Sequence, residues 1–217
     1  MRLTNKLAAV AVAFAAGSAC ASPVSVSYTH FGKLDGATFG GTGISNEHVA
    51  ITQNGKLTLG LTVTPRAGGS VVSNNGAGVF TVEAGAFGAG DNLALWNYDF
   101  YVKNSGLASI GTYYKLLVDF DPTVGNSLST YTDMSWLLLG GAQNSENLGF
   151  LTNYSQFDPT RTGEYGFVLE AFNFFGQEIG QSAILVEVEQ KVPEPASLAL
   201  VAVALGGLGL ASRRRAG

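Results

Sequence analysis

The sequence of 217 residues is long enough for one well-buried domain, and its 29 glycines and 13 phenylalanines beside only 13% charged residues favour short strands and tight turns. Its formal net charge is -4, but residues 22–191 hold 15 acidic residues against 7 lysines and arginines. So acidic a body repels polyanions and argues against a nucleic-acid partner, and a single cysteine excludes a disulfide framework.

The first 21 residues have the three-part form of a secretory signal peptide. Two basic residues precede an apolar run, which ends in the small residues Ala19-Cys20-Ala21. This pattern predicts export and cleavage by signal peptidase after Ala21, with Ala19 and Ala21 as the recognition residues. Two alternatives stay open: a buried helix, and a lipoprotein leader with Cys20 lipidated, although Gly17 stands where a leucine is usual.

Between residues 22 and 191 the apolar residues recur with the period of two that β-strands have. Four strands are predicted to turn one apolar face inward: Leu57, Leu59, Leu61 and Val63; Trp96, Tyr98, Phe100 and Val102; Tyr114, Leu116, Val118 and Phe120; and Ile184, Val186 and Val188. Further strands are predicted near 24–30, 48–53, 78–83, 131–139 and 165–174. Eight or nine strands predict an all-β fold, namely an antiparallel β-sandwich of immunoglobulin-like or jelly-roll type.

Two local patterns refine this prediction. Asn54-Gly55 predicts a hairpin with a type I′ turn between runs that end at Gln53 and begin at Lys56. Further on, a glycine two residues before Tyr165, followed by a hairpin into the last strand, resembles the tyrosine corner of immunoglobulin-like sandwiches. This second pattern carries no function with it.

The body holds little recognisable chemistry. Motifs for a nucleophile, a phosphate loop or a dinucleotide are absent, and the chain has 2 histidines. The sequence therefore predicts no enzyme, no catalytic residue and no cofactor. Asp119, Asp121 and Asp133 could gather oxygen atoms for calcium, but they lack the order of a calcium loop, and no metal site is predicted.

Aromatic residues on the outward faces of strands are the candidate ligand contacts. Asn97, Asp99, Tyr101 and Lys103 are expected to meet water, and Tyr113 has the same position on the next strand. Because aromatic rings stack on sugar rings, Tyr101 and Tyr113 are predicted as contacts for a saccharide.

The C-terminal segment has the features of a membrane-held tail. Val192-Pro193-Glu194-Pro195 resists helix and sheet, because proline lacks an amide hydrogen. The apolar run 198–210 predicts a short transmembrane helix of about 20 Å, against a hydrocarbon core of about 30 Å. Basic residues follow it and predict a cytoplasmic stop with the body outside: Arg213, Arg214 and Arg215.

Together these features closely resemble the PEP-CTERM sorting signal of Gram-negative bacteria that make extracellular polysaccharide. The resemblance covers residues 192–217 and implies recognition by an exosortase, cleavage near Pro-Glu-Pro, and release or transfer of the body outward. A plain membrane anchor and a buried apolar helix are the alternatives for this tail.

The sequence thus predicts a signal peptide at 1–21, a β-sandwich domain at 22–191 and a sorting tail at 192–217. The chain is expected to be held briefly in the inner membrane by its C-terminal helix and then to reach the cell surface or extracellular matrix. Its expected partners are signal peptidase, exosortase and exopolysaccharide. The predicted function is a structural or adhesive matrix component of a biofilm, with a carbohydrate-binding module or a polysaccharide hydrolase as alternatives.

Overall fold

The computed structural model describes residues 23–66, 71–88, 92–105, 110–140, 142–151 and 157–190. Eleven strands in these ranges, numbered in chain order, form two sheets. The signal peptide and the sorting tail predicted from the sequence lie outside the described residues.

The first sheet has five strands, and every neighbouring pair in it is antiparallel. Its spatial order is β1 (His30–Gly32), β2 (Val49–Asn54), β3 (Leu57–Pro65), β6 (Trp96–Lys103) and β9 (Gln143–Glu146).

The second sheet has six strands and is mixed, because β5 pairs with β11 in parallel. Its order is β4 (Ser73–Asn74), β5 (Val79–Glu83), β11 (Glu178–Glu189), β10 (Gly163–Phe172), β7 (Tyr113–Val118) and β8 (Thr132–Asp133). Three 3-10 helices lie in the connections, at Leu128–Thr130, Ser135–Gly140 and Leu148–Phe150. The described body is therefore all-β, and two facing sheets make it a β-sandwich.

The core lies between the two sheets and contains the four apolar faces predicted from the sequence. The Phe167 ring of β10 stacks on the Tyr98 ring of β6 with centroids 4.5 Å apart, and it meets Trp96 edge-on at 6.2 Å. Tyr165 is buried between Trp96 and Phe157. Large rings from opposite sheets interlock here, so the alternation in the sequence correctly identified the inward faces.

Three local predictions were wrong, and one strand was missed. The prediction of wholly antiparallel sheets fails at the β5–β11 pair. Only Thr132–Asp133 is a strand within 131–139, because Asp133 Oδ1 accepts a hydrogen bond from the Ser135 amide at 2.9 Å and a 3-10 helix follows. Between 24 and 30 there is one isolated bridge, from Ser27 to Ala183, and a strand begins only at His30. Strand β9 was missed because Gln143–Glu146 is entirely polar.

The predicted β2–β3 hairpin is confirmed, but its turn lies one residue later than expected. Asn54 pairs with Leu57, so the loop residues are Gly55 and Lys56. Gly55 has a φ of 57°, whereas Lys56 is not among the described residues with positive φ. A type I′ turn needs positive φ at both positions, so that prediction is wrong; glycine at the first position is typical of type II′.

The two ends of the sandwich differ. The Asn54 side-chain amide donates to the Ile179 carbonyl at 2.7 Å, which places the β2–β3 hairpin beside the start of β11. We call this the hairpin end. Strand β11 then runs for 12 residues, about 40 Å, to Glu189 at the opposite end, where the described chain ends at Gln190. We call this second end the tail end.

Candidate functional site

A segment that we call the strap, residues 33–48, lies across the outer face of the five-stranded sheet. The strap residue Phe39 is 1% exposed and belongs to a second apolar cluster with Ile51 and Tyr101. Gln143 Oε1 accepts hydrogen bonds from the Thr38 and Phe39 amides, both at 2.8 Å. The outer face of β6, expected from alternation to meet water, is therefore largely covered.

The strap leaves a cleft at the hairpin end, which we call the lysine cleft. Its volume is about 340 Å³. Lys33 in this cleft is ion-paired with Asp35 at 3.9 Å and with Glu47 at 3.4 Å. The cleft is polar and suits a hydroxylated or charged ligand. Its other lining groups include His30, Gln53, Thr58, Tyr101 and Lys103.

A second and larger cleft of about 600 Å³, the arginine cleft, lies at the tail end. The Arg66 guanidinium carbon lies 4.8 Å from the Phe87 ring centroid and 5.2 Å from that of Phe150. Cation–π contacts on two rings hold this long side chain in place. Polar side chains from three strands complete the wall: Thr64, Asn97 and Ser145.

Asn147 joins the segments that meet at this end and is 0% exposed. Its Oδ1 accepts from the amides of Ala94 at 2.9 Å and Gly149 at 3.0 Å. Its Nδ2 donates to three oxygens: Ala94 O at 3.1 Å, Trp96 O at 2.7 Å and Asn97 Oδ1 at 2.9 Å. Sequence reasoning missed Asn147, since a lone asparagine after a polar stretch carries no signal of burial.

Among the described residues, Asp99 is the only Asp, Glu, Lys or Arg whose exposed fraction is 0%. It lies under the strap, where the Thr64 hydroxyl donates to its Oδ2 at 2.7 Å and its Oδ1 lacks a partner of hydrogen-bond geometry. Burial raises the pKa of this carboxyl to about 7, although the hydroxyls of Ser145 and Thr64 lower it. Asp99 was predicted to face water, which is wrong because the strap covers it.

The two predicted ligand contacts, Tyr101 and Tyr113, are not brought together. Tyr101 is 9% exposed on the outer face of the five-stranded sheet and lines the lysine cleft. Tyr113 is 44% exposed on the outer face of the other sheet, where its ring stacks on Phe172 with centroids 5.1 Å apart. They lie on opposite sides of the sandwich, so they cannot hold one sugar residue between them. As separate contacts both stay predictions.

The three aspartates considered for calcium do not converge either. Asp119 accepts from the Asp121 amide and from Asn126 Nδ2, both at 3.0 Å. Burial raises the pKa of Asp119, with Asp121 and Glu164 as its charged neighbours. Asp133 instead accepts from Ser135. In the described ranges no three His, Cys, Asp or Glu side chains are grouped so that they could hold a metal ion.

The two histidines lie at different places in the five-stranded sheet and the strap. His30 is exposed at the lysine cleft, and the His48 ring stacks on Phe31 with centroids 6.3 Å apart. The described residues also include no helix whose length and hydropathy would let it span a membrane.

Comparison with known proteins identifies the C-terminal segment. Residues 191–215 match the family model of the PEP-CTERM protein-sorting motif. The match includes Pro193-Glu194-Pro195, the apolar run and the arginines. The motif indicates an extracellular protein that is processed by an exosortase and is held at the membrane in transit. Neither the curated proteins nor the solved structures gave a match to the chain.

Proposed function

We propose that this chain is a non-enzymatic structural or adhesive component of an extracellular polysaccharide layer, delivered there by processing of its sorting tail. The observation that carries the proposal is the PEP-CTERM motif at residues 191–215, since this signal is typical of bacteria that make such polysaccharide. The body contributes a buried core between two sheets. No catalysis is assigned to it, because its sequence lacks the motifs of a nucleophile with its base.

The geometry of the body fits a protein that is first held at a membrane and then released. The tail follows Gln190 at the tail end, whereas the lysine cleft lies at the hairpin end, about 40 Å away along β11. During transit the hairpin end would therefore face away from the membrane. The four edge strands, β1, β9, β4 and β8, are 4 residues long or shorter, which limits unwanted pairing between copies.

Intact mass spectrometry of the extracellular protein tests the delivery step. We expect the secreted species to lack residues 1–21 and the apolar tail, with its new C-terminus between Pro193 and Pro195. In a host without its exosortase, the unprocessed chain is expected in the membrane fraction. A secreted species that still carries Arg213–Arg215 would contradict the proposed processing.

The second candidate function is a secreted carbohydrate-binding module, favoured by the polar lysine cleft with Tyr101 in its wall. The test is sedimentation of the exported protein with the host's polysaccharide. Tyr113→Ala removes an exposed ring, and Tyr101→Phe removes a hydroxyl while it keeps the packing under the strap. If either tyrosine contacts a sugar, its variant should lose about three- to tenfold in retention, roughly 0.7–1.4 kcal/mol.

Leu139→Ala is the matched control, because Leu139 is exposed and lies outside the lysine cleft. Equal retention of the wild type, both tyrosine variants and this control would argue against sugar stacking at Tyr113 and against a hydrogen bond from the Tyr101 hydroxyl to a sugar. It would leave the structural role in place.

A further inference from the structure

Arg66 is an unusual arginine for so acidic a protein. Residues 22–191 contain 15 acidic residues, yet the described ion pairs involve only Lys33, with Asp35 and Glu47. Arg66 Nε is buried and has no hydrogen-bond acceptor in the described ranges. A buried, unpaired guanidinium nitrogen is costly unless a ligand or water completes it.

The side chain is also fixed before any ligand arrives. Phe87 comes from a loop and Phe150 from the 3-10 helix Leu148–Phe150, and their ring centroids lie 4.8 and 5.2 Å from the guanidinium carbon. Ordering an arginine side chain costs on the order of 2 kcal/mol of rotamer entropy. Because the two rings already order Arg66 in the folded protein, a ligand does not have to offset that cost when it binds. A planar fork of donors held in this way is suited to a carboxylate.

The arginine cleft has walls of the right kind for one particular class of carboxylate. Among the described residues that line it there is no Asp or Glu, so no carboxylate in the lining itself repels a bound anion; the buried Asp99 lies behind Thr64 and Ser145. The Asn97 amide donates to Ser145 Oγ at 3.1 Å, and the Ser145 hydroxyl faces the Asp99 carboxyl, so Ser145 offers a ligand its remaining oxygen lone pair. Ile44, Pro65 and Phe87 add apolar surface.

We infer that the arginine cleft binds an acidic sugar residue, with Arg66 taking its carboxylate. The hydroxyl oxygens of Thr64 and Ser145 would accept from the ring hydroxyls of the sugar, and the second amide hydrogen of Asn97 would donate to them. The apolar wall would face the C–H groups of the sugar. This inference rests on the proposed polysaccharide-associated function and names the chemistry of the ligand. A cleft of about 600 Å³ accommodates one or two sugar residues.

The overall charge of the body shapes how such a ligand binds. An acidic protein repels a long polyanion, but at physiological salt that repulsion is screened beyond about 8 Å. The contact between Arg66 and a carboxylate is short and partly desolvated, so it is screened less. We therefore expect the protein to bind single acidic sugar residues, or the ends of a polysaccharide chain, rather than a long run of acidic sugars.

The test is a calorimetric titration of the exported protein with the trimer of α-1,4-linked galacturonic acid. The carboxyl-esterified trimer and sodium acetate are titrated in parallel. Wild-type protein is expected to bind the acid trimer at least tenfold more tightly than the ester or acetate. Arg66→Met, which keeps a long apolar side chain between the two rings, should lose at least tenfold in affinity for the acid trimer.

Two further variants separate binding from folding. Arg161→Met removes an exposed arginine outside the cleft and should bind the trimer as the wild type does. Arg66→Lys keeps the positive charge but lacks the planar pair of donors of a guanidinium. Its affinity for the acid trimer should lie between those of the wild type and Arg66→Met. Urea unfolding of each variant shows which of them are folded.

Three results would overturn the inference: no binding of the acid trimer, equal binding of the acid and ester trimers, or equal loss in Arg66→Met and Arg161→Met. Acetate binding as tight as the trimer would overturn the sugar component. The proposed function fails separately, if the wild-type exported protein does not sediment with the native polysaccharide. If Arg66→Met sediments normally while trimer binding is absent, the matrix role stands and the carboxylate site does not.

Discussion

Replacing Asn147 by aspartate is expected to destabilise the folded body by about 3–5 kcal/mol, although the side chain keeps its shape. Asn147 Nδ2 donates to the carbonyls of Ala94 and Trp96 and to Asn97 Oδ1. A carboxylate oxygen at that position would face three oxygen acceptors at full burial, without water to offset the repulsion. Urea unfolding of the exported protein at pH 7.5 measures the loss.

The pH dependence of this variant sharpens the test. Burial among three acceptors should raise the pKa of the introduced carboxyl, so it takes up a proton as pH falls from neutral towards about 4, and one O–H would then restore one of the three donated bonds. The deficit relative to wild type should therefore shrink in acid.

Asn75→Asp is the matched control. The exposed Asn75 uses only its Oδ1, as an acceptor from the amides of Ala77 and Val79, and a carboxylate accepts equally well. We expect a change within about 0.5 kcal/mol. If Asn147→Asp is as stable as this control, Asn147 does not hold the tail end together.

Replacing Asp99 by asparagine is expected to stabilise the protein at neutral and alkaline pH, by on the order of 3 kcal/mol. The folded-state pKa of Asp99 is about 7, against 3.8 for an ordinary aspartate. Asparagine has nearly the same shape, still accepts from the Thr64 hydroxyl, and presents an amide beside Ser145 in place of the unpaired Oδ1.

The sign of the effect follows from proton binding. Between about pH 4 and 7 the folded protein holds a proton on Asp99 that the unfolded chain has lost, so the free energy of unfolding falls as pH rises through this window. Above pH 7 the loss is complete and no longer grows. The gain in Asp99→Asn should therefore be small at pH 4, increase up to about pH 7 and then remain level.

Asp158→Asn is a control for which we expect the opposite pH dependence of stability. Hydrogen bonds from Thr160 lower the pKa of this exposed carboxyl, so its stabilisation is lost as pH falls through the folded-state pKa. This variant should be less stable than wild type near neutral pH and approach it in acid. A difference between Asp99→Asn and wild type that stayed constant from pH 4 to 9 would contradict burial of a titrating Asp99.

The inward faces of the long strands could be predicted because they depend on a local period. Leu57 to Val63 and Trp96 to Val102 alternate wherever the strands are placed, and both faces lie in the core as expected. The outward faces could not be predicted in the same way. Whether Asp99 and Tyr101 meet water depends on the strap, which Gln143 holds from more than 100 positions away.

The two clefts were also beyond local patterns, because no single segment forms either of them. The arginine cleft needs the strap, the end of β3, the loop at Phe87 and strand β9 together. Strand β9 is itself polar and gave no signal. The sequence located Tyr101 and Tyr113 as outward residues, but only the pairing of strands places them on opposite sheets.

By itself, the sequence determined the sorting motif at residues 191–215 and the all-β character of the body, because a linear signal and a strand period are both properties of neighbouring residues. Only the tertiary structure decided the parallel β5–β11 pair, the burial of Asp99 under the strap and the unpaired state of Arg66 Nε. These features depend on contacts between residues far apart in the chain, and the free energy of such contacts is set by which groups lose water together when the two sheets and the strap close.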